Sequence, residues 1–264
     1  MTLAVTFFYG LDSSSELPQK IYFYSMKFKL LVLLLMLSPR LFAQKTEPQI
    51  IITPLTKNYY VVTSHGYPDK DSEPYPANSL FVVTDAGIVL IDTPWGEAQT
   101  QQLIDTVEKT YHKKIVLCIA THFHDDKVIG FDILKKAGTK TYSSTLTYQL
   151  AKKEHNKLPE FTFGHDTTFT IGSLTLKTYF PGEGHTKDNI VVWFPNDLVL
   201  VGGCLVKSLD TDSEGFIGDA NLKNWSTAIE NVIKYYGHAK YIIPGHLGWQ
   251  GGVEQLSHTM DVVK

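Results

Sequence analysis

Short apolar runs and amphipathic stretches alternate along this chain after its first 55 residues, with no linker-like segment between them. Residues 61–63, 80–83 and 88–91 are rich in Val, Leu and Ile, a pattern that predicts β-strands. The turn signal Asp85-Ala86-Gly87 separates the last two runs and predicts a short connection between them. The alternation therefore favours one continuous domain in which strands and helices follow one another.

Three stretches carry apolar side chains at the spacing of one helix face. They are residues 97–110, with Leu103, Ile104 and Val107; residues 127–137, with Ile129, Phe131 and Leu134; and a stripe of Trp225, Ile229, Val232, Ile233 and Tyr236. Apolar runs at 115–120 and 241–243 predict two further strands. The polar, proline-containing stretch 64–78 predicts either a mobile hairpin or flap, or an ordinary surface loop.

The first 43 residues have a different pattern. A basic stretch at 26–29 precedes eight apolar residues at 30–37, and Ser38-Pro39-Arg40 interrupts the run before Ala43. This layout is typical of a cleavable signal peptide, and the apolar run is too short to span a bilayer. We therefore expect a signal peptide at 26–43, a mature domain at 44–264 and a periplasmic location. Residues 1–25 are interpreted as a mis-assigned extension, with a true N-terminal extension as the alternative.

Composition narrows the classes of partner. The formal net charge is −3, with both signs mixed along the chain. The sequence has no basic run that would indicate nucleic-acid binding or a polybasic membrane patch. No cysteine lies near the expected cleavage point, so a stable lipid anchor is not expected. Cys118 lies in a strand-like run and Cys204 in a glycine turn, and we expect both to be reduced.

The chemistry-bearing residues include six side chains of the types that bind zinc. His122, His124 and Asp126 directly follow the predicted strand 115–120. In an extended turn, residues two apart project to the same side, so the two histidines can chelate one ion while Asp126 points to a neighbouring ion. A His-x-His pair alone is weak evidence because surface pairs of histidine are common.

The other three candidates make the metal interpretation much stronger. His185, Cys204 and His246 each stand in a glycine-rich turn, and Cys204 and His246 each follow an apolar run. A metal with an open coordination position activates water near neutral pH, so the pattern indicates metal-assisted hydrolysis. The remaining histidines lack this context and are expected at the surface or in the core; they are His65, His112, His155, His165, His238 and His258.

Several of these stretches together resemble the class B metallo-β-lactamases, over most of the mature chain. They are Ile91-Asp92-Thr93-Pro94-Trp95, Thr121-His122-Phe123-His124-Asp125-Asp126-Lys127, Gly184-His185-Thr186-Lys187-Asp188-Asn189, Gly202-Gly203-Cys204-Leu205-Val206-Lys207-Ser208 and Ile243-Pro244-Gly245-His246. The resemblance is to the broad-spectrum subclass with two zinc ions. It implies an α/β fold, a four-layer αβ/βα sandwich of two mixed β-sheets flanked by helices.

The resemblance also implies an activity and a ligand set. His122, His124 and His185 would bind one zinc ion (Zn²⁺), and Asp126, Cys204 and His246 the second. The implied reaction is hydrolysis of the β-lactam amide bond of penicillins, cephalosporins and carbapenems by a zinc-bound hydroxide, which Asp126 helps to orient. Such an enzyme confers antibiotic resistance, acts on a small-molecule substrate and is expected to be a monomer.

Four further residues receive roles from the same resemblance. Lys207 is expected to meet the substrate carboxylate, and Asp92 either supports a ligand histidine or caps a turn. Phe216 stands in Gly215-Phe216-Ile217-Gly218-Asp219, where many members have an asparagine that can reach the oxyanion or the substrate. A phenyl ring cannot donate that hydrogen bond. Lys127 is expected to lie behind the ligands and support them without binding a metal itself; related thioesterases and nucleases generally have a further histidine at this position.

Two other functions remain open from the sequence. One is a zinc hydrolase of the same fold that acts on another ester, thioester, lactone or phosphodiester. Lys127 and Cys204 argue against it, because a thiolate at the second metal is the lactamase-like choice. The other is a non-catalytic zinc-binding protein, which an open site of mixed ligands makes less favourable.

Overall fold

Two mixed β-sheets form the centre of the protein in a computed structural model that describes residues 48–69, 71–164 and 166–264. The expected signal peptide at 26–43 and the preceding residues lie outside the described residues. Cleavage after Ala43 therefore stays a prediction. Glu47–Lys264 form one compact unit.

The first sheet has seven strands in sequence order. They are β1 (Ile51–Pro54), β2 (Tyr59–Gly66), β3 (Tyr75–Thr84), β4 (Gly87–Ile91), β5 (Ile115–Ile119), β6 (Lys140–Ser144) and β7 (Phe161–Phe163). Strands β1 to β4 pair antiparallel, and β4 to β7 pair parallel. The long antiparallel pair β2–β3 pairs Gly66 with Tyr75, so the predicted segment 64–78 is a hairpin with the loop at its tip.

The second sheet has five strands in the order β12-β11-β10-β9-β8. They are β8 (Thr168–Ile171), β9 (Leu174–Tyr179), β10 (Val191–Phe194), β11 (Val199–Gly203) and β12 (Tyr241–Pro244). Strands β11 and β12 run parallel, and the other pairs run antiparallel.

Helices cover the outer face of each sheet. They are α1 (Glu97–Tyr111), α2 (Asp125–Val128), α3 (Phe131–Lys136), α4 (Thr145–Lys153), α5 (Leu222–Tyr236) and α6 (Glu254–Val262). Side chains of α1, α2 and α3 pack on the first sheet, and those of α5 and α6 pack on the second. None of the helices within the described ranges is long and apolar enough to cross a bilayer.

The alternation of side chains along buried strands explains the layers. In β4, Val89 and Ile91 point into the core between the two sheets, whereas Ile88 and Leu90 point to the helices outside. Because neighbouring side chains of a strand face opposite sides, a strand covered on both faces is apolar throughout. The order helix, sheet, sheet, helix follows, and the predicted four-layer sandwich is confirmed.

Two predicted elements differ from the structure. The helix expected over 127–137 is two short helices, α2 and α3, separated at Gly130. A Cβ atom at Gly130 would lie 2.3 Å from the Thr100 hydroxyl, so α1 and this turn approach each other more closely than a side chain allows. In α5, Trp225, Ile229 and Val232 are buried as predicted, but Ile233 lies at the exposed edge of the stripe.

Candidate metal centre

The candidate ligands come together at one edge of the sandwich. His122 follows β5, Cys204 follows β11, and His246 follows β12. The backbone N–H of Asn78 donates a hydrogen bond to the Gly245 carbonyl at 2.9 Å and links the two sheets at this edge. Loops held by packed strands in this way present side chains with little freedom to move.

Three histidines form the first cluster. The rings of His122, His124 and His185 have centroids 4.8 to 5.0 Å apart. His185 Nε2 lies 3.2 Å from His124 Nδ1, and His122 Nε2 is buried without a hydrogen-bond partner. One nitrogen of each ring therefore faces a common point, where all three lie within 4.8 Å of one another.

Asp126 is at the centre of the second cluster. Its Oδ2 atom lies 3.3 Å from His246 Nε2 and 3.7 Å from Cys204 Sγ. The ligand atoms of His122, Asp126 and Cys204 also lie within 4.8 Å of one another, so the two clusters adjoin. Asp126 is the second residue of α2, and this short helix holds its carboxylate beside Cys204 and His246.

The outward nitrogens of three candidate ligand rings have partners that define the rings' orientation. Thr121 Oγ1 lies 3.2 Å from His122 Nδ1 and donates to Asp92 Oδ2 at 3.0 Å. Asp92 Oδ1 accepts from the Thr121 amide at 2.6 Å, so the carboxylate supports His122 through Thr121. His246 Nδ1 lies 2.8 Å from the Pro76 carbonyl, and its proton must point there. The third ring, that of His124, has its Nε2 atom 3.0 Å from Asp219 Oδ2.

Lys127 is a fully buried cation beside the second cluster. Its ammonium lies 3.0 Å from Asp126 Oδ2 and donates to the Gly245 carbonyl at 3.2 Å. The charges of Asp126, Cys204 and Asp92 outweigh the effect of burial and raise the pKa of Lys127, which stays protonated. It balances negative charge at a place that water does not reach.

The surroundings set the protonation of the candidate ligands. Burial lowers the pKa of His122 and of His185 well below the usual value, which leaves both imidazoles neutral. Burial alone would raise the pKa of Asp126, but Lys127 and His246 hold it well below its usual range. For His246, Cys204 and Asp126 outweigh burial and raise the pKa to about 9.

This donor set fits a metal. The neutral imidazoles of His122 and His185, an ionised carboxylate and a cysteine are ligands that zinc prefers. At His246 a metal ion would take the place of the proton that the raised pKa keeps on the ring. The buried, unpartnered nitrogen of His122 points into the cluster, where a cation would satisfy it. The outward partners of His122, His124 and His246 are of the kind that accompany metal-binding histidines.

A cleft of about 660 Å³ opens onto both clusters. Among the described residues that line it, Lys207 is the one lysine or arginine. Its ammonium lies 5.1 Å from the centre of the Trp225 ring, and burial lowers the pKa of this lysine, against the opposing charge of Cys204. Phe216 is 62% exposed at the rim, with its ring 5.5 Å from that of His124.

Seven of the ten predicted site residues line the cleft. The other three are buried behind it: His122 and Asp92 both contact Thr121, and Lys127 contacts Asp126. Cys118 and Cys204 are both unpaired and buried, as expected. The sequence reasoning missed Thr121, Asp219 and Tyr75, whose ring lies 5.2 Å from that of His246. Asp219 stands in the turn 215–219, which the sequence analysis had already singled out for Phe216, so it could have been found there. Tyr75 precedes the predicted strand 80–83, and no motif in the sequence around it indicates a role in the site.

Comparison with known proteins decides the family. Residues 72–246 match the family model of the metallo-beta-lactamase superfamily. A metallo-beta-lactamase type 2 from Elizabethkingia meningoseptica is 37% identical over 238 residues, which covers 90% of this chain and 94% of that protein. One from Bacillus cereus is 42% identical over 215 residues, covering 81% and 83%. The chain belongs to the metallo-beta-lactamase superfamily.

Solved structures agree with this assignment. A metallo-beta-lactamase from Pontibacter korlensis superposes with a TM-score of 0.78 at 38% identity, covering 81% of this chain and 99% of that one. This member of the superfamily is therefore a hydrolase, and the family implies a metal, typically zinc. The resemblance read from the motifs is confirmed, as is the fold that it implied.

Proposed function

We propose that the chain is a periplasmic β-lactamase that hydrolyses the amide bond of β-lactam antibiotics with two zinc ions, and so confers resistance. One observation carries the proposal: two adjoining ligand sets, the second containing the thiol of Cys204, open onto a cleft whose described lining includes one lysine and no arginine. The names of the relatives support the same reaction.

The six side chains divide between the two ions by their positions. His122, His124 and His185 would hold the first, and Asp126, Cys204 and His246 the second. Zinc at these positions supplies a Lewis acid and a water that ionises near neutral pH. All six donors come from one chain, which supports a monomer as the active unit.

The remaining roles belong to residues of the cleft. Lys207 would bind the carboxylate that β-lactams carry next to the ring nitrogen, since it is the one lysine or arginine among the described residues that line the cleft. The Asp126 carboxylate, ionised and fixed by Lys127, would accept a hydrogen bond from the attacking water and orient it. Phe216 would contact apolar substituents of the substrate at the rim. A phenyl ring there supplies no hydrogen bond to the developing oxyanion.

The test measures the turnover of several substrate classes with metal present, removed and restored. Purified mature protein is assayed with nitrocefin, a penicillin and a carbapenem, before and after a chelator, and again after zinc is restored. We expect turnover that the chelator abolishes and zinc restores, and elemental analysis that approaches two zinc ions per chain. Faster turnover of a thioester or lactone than of any β-lactam would identify the other hydrolase, and turnover that resists the chelator would refute metal dependence.

Location and assembly are tested separately. Intact-mass analysis of the periplasmic fraction should give a chain that begins after Ala43. Size-exclusion chromatography with light scattering should give the mass of one chain. Protein that stays in the cytoplasm with residues 1–25 attached would contradict the proposed export.

A further inference from the structure

The hairpin of β2 and β3 is held at its base by the side chain of one glutamine. Gln99 is the third residue of α1 and is only 1% exposed. Its amide oxygen accepts from the His65 N–H at 2.9 Å, and its amide nitrogen donates to the His65 carbonyl at 2.7 Å. The same nitrogen donates to the Trp95 carbonyl at 3.0 Å. One buried side chain therefore uses its acceptor and both of its N–H donors to join two segments of the chain.

These contacts fall where β1 no longer covers the edge of the first sheet. β1 begins at Ile51, which pairs with Thr63, so this strand stops short of His65. On its other side, His65 stands opposite Pro76, a residue without an N–H. A group that both donates to and accepts from one residue makes the contacts of a neighbouring antiparallel strand. The amide of Gln99 thus extends the pairing of the sheet by one residue.

The start of α1 leaves the Gln99 side chain available for this contact. A glutamine three residues after an N-cap commonly bonds back to the N–H of the N-cap residue. Here the N-cap is Gly96, and its N–H donates to the Pro94 carbonyl at 2.9 Å instead. Gln99 can therefore reach across to β2 without leaving that N–H unpaired.

Trp95 packs on the same part of the hairpin. A Cβ atom at Gly66 would lie 2.0 Å from the Trp95 ring, so the ring rests directly on the backbone of β2. The Trp95 N–H donates to the Ser64 hydroxyl at 2.8 Å. Trp95 lines the cleft, as do Pro68 and Tyr75 of the hairpin. The hairpin and the segment before α1 therefore form one wall of the cleft, and three successive residues of β2 join them.

We infer that Gln99 is a positioning residue for substrate binding, and that it holds the hairpin and Trp95 in the arrangement that shapes this wall of the cleft. The effect on catalysis rests on the function proposed above, whereas the contact with His65 belongs to the fold alone. Pro68, Tyr75 and Trp95 are not among the candidate metal ligands. A loosened wall should therefore weaken substrate binding and leave metal affinity and the chemical step unchanged.

The experiment compares the wild-type holoenzyme with Gln99→Met, Gln99→Glu and Gln101→Met. Methionine keeps the length of the side chain without its hydrogen bonds, and glutamate keeps the acceptor but neither donor. Gln101 is an exposed glutamine of the same helix, bonded to Asp105, and is the matched control. Steady-state kinetics with nitrocefin and a penicillin give KM and kcat, chelator competition gives zinc affinity, and NMR gives the hydrogen-exchange rate of the His65 amide.

We expect Gln99→Met to raise KM about 2- to 12-fold at nearly unchanged kcat, because substrate must then order a side chain of the wall when it binds. The His65 amide should exchange faster by a similar factor, about 2- to 12-fold, the effect of one lost hydrogen bond. Gln99→Glu should also raise KM but keep more of the protection, because its carboxylate still accepts from the His65 N–H. Gln101→Met should match the wild type, and zinc affinity should be the same in all four proteins.

Three results would overturn the inference. Equal exchange of the His65 amide in Gln99→Met and Gln101→Met would show that Gln99 does not hold the hairpin. Faster exchange without a rise in KM would show that the contact does not position the wall. A loss of zinc affinity, or a fall in kcat as large as the rise in KM, would place the effect in the metal centre or the whole fold.

Two safeguards keep the test decisive. The melting temperature shows whether each variant folds, and Gln99→Glu supplies the KM comparison if Gln99→Met does not. A wild-type protein that hydrolyses no β-lactam would refute the proposed function and, with it, the role in substrate binding. The exchange rate of the His65 amide would still decide whether Gln99 holds the hairpin.

Discussion

Lys127 offers a direct test of how the metal centre is stabilised before metal binds. Replacing it with methionine keeps an apolar side chain of similar length but removes a buried positive charge. The ammonium lies 3.0 Å from Asp126 Oδ2, with the lysine side chain 0% and the aspartate side chain 7% exposed. At that separation, an effective dielectric constant of about 20 gives an attraction of about 5.5 kcal/mol before desolvation.

The net effect should be smaller than the attraction but still large. Burying both charges offsets part of the Coulomb energy, and removing one partner of a buried pair typically costs about 3–5 kcal/mol. The Gly245 and Asn78 carbonyls also lose a donor, at 3.2 and 3.4 Å. We expect Lys127→Met to lower the free energy of unfolding by about 4 kcal/mol, a large part of the 5–15 kcal/mol typical of a domain.

Urea unfolding at pH 7 in the presence of a chelator, followed by tryptophan fluorescence, measures this difference. Lys153→Met is the matched control, because Lys153 pairs with Glu154 at 2.8 Å while its side chain is 74% exposed. Exposed pairs contribute at most about 1 kcal/mol, so the control should change little. A loss no larger in Lys127→Met than in this control would refute the reasoning.

The pH dependence supplies a second check with a definite sign. In the wild type, Lys127 and His246 hold the pKa of Asp126 below its unfolded value, so Asp126 contributes stability above about pH 4 that is lost on further acidification. In Lys127→Met the buried carboxylate loses its main cation, its pKa rises, and protonation relieves the variant as the pH falls. The gap between the two proteins should therefore be widest near pH 7 and narrow toward pH 4.

Three other substitutions test the proposed roles. Cys204→Ser should lose the second zinc ion preferentially in elemental analysis, because a hydroxyl is a far poorer zinc ligand than a thiolate; two ions bound with unchanged affinity would exclude Cys204 as a ligand. Lys207→Ala should raise KM about 10- to 100-fold for carboxylate-bearing β-lactams with a smaller effect on kcat, since a charged contact contributes about 1.5–3 kcal/mol and is made before the transition state; steady-state kinetics that show an unchanged KM would exclude this role. Phe216→Asn should raise KM for substrates with aromatic side chains and increase kcat by far less than the roughly 10²–10³-fold of a well-placed oxyanion donor; no change with a penicillin, a cephalosporin and a carbapenem would place Phe216 outside the site.

The sequence was most informative where local pattern and long-range packing agree. Strands such as β4 and β5 are apolar throughout because both of their faces are covered. This apolar pattern alone was enough to predict them as strands. The candidate ligands His122, Cys204 and His246 could be found because each follows such a strand. Strand ends of packed sheets are where a chain leaves the core, and unusual residues stand out there.

The parts that sequence missed depend on contacts between distant segments. Gly130 lies between α2 and α3, where the side chain of Thr100 leaves no room for a Cβ atom, and the apolar spacing of 127–137 contains no trace of this contact. Asp219 lies 95 residues beyond His124, and their hydrogen bond exists only in the folded protein. Tyr75 reaches His246 because the hairpin of β2 and β3 continues past the apolar residues that marked it.

The turn from Gly215 to Asp219 combines two constraints of different strength. Phe216 is 62% exposed and touches His124 only through its ring, so another side chain at this position can be accommodated and would change the apolar surface offered to substrate. Asp219 Oδ2 lies 3.0 Å from His124 Nε2, a hydrogen-bonding contact that an apolar replacement cannot make. A different side chain at Phe216 would therefore change the rim of the cleft, while the contact of Asp219 with His124 and the hydrogen bonds of Asn221 to Glu183 and Gly184 keep the turn in place.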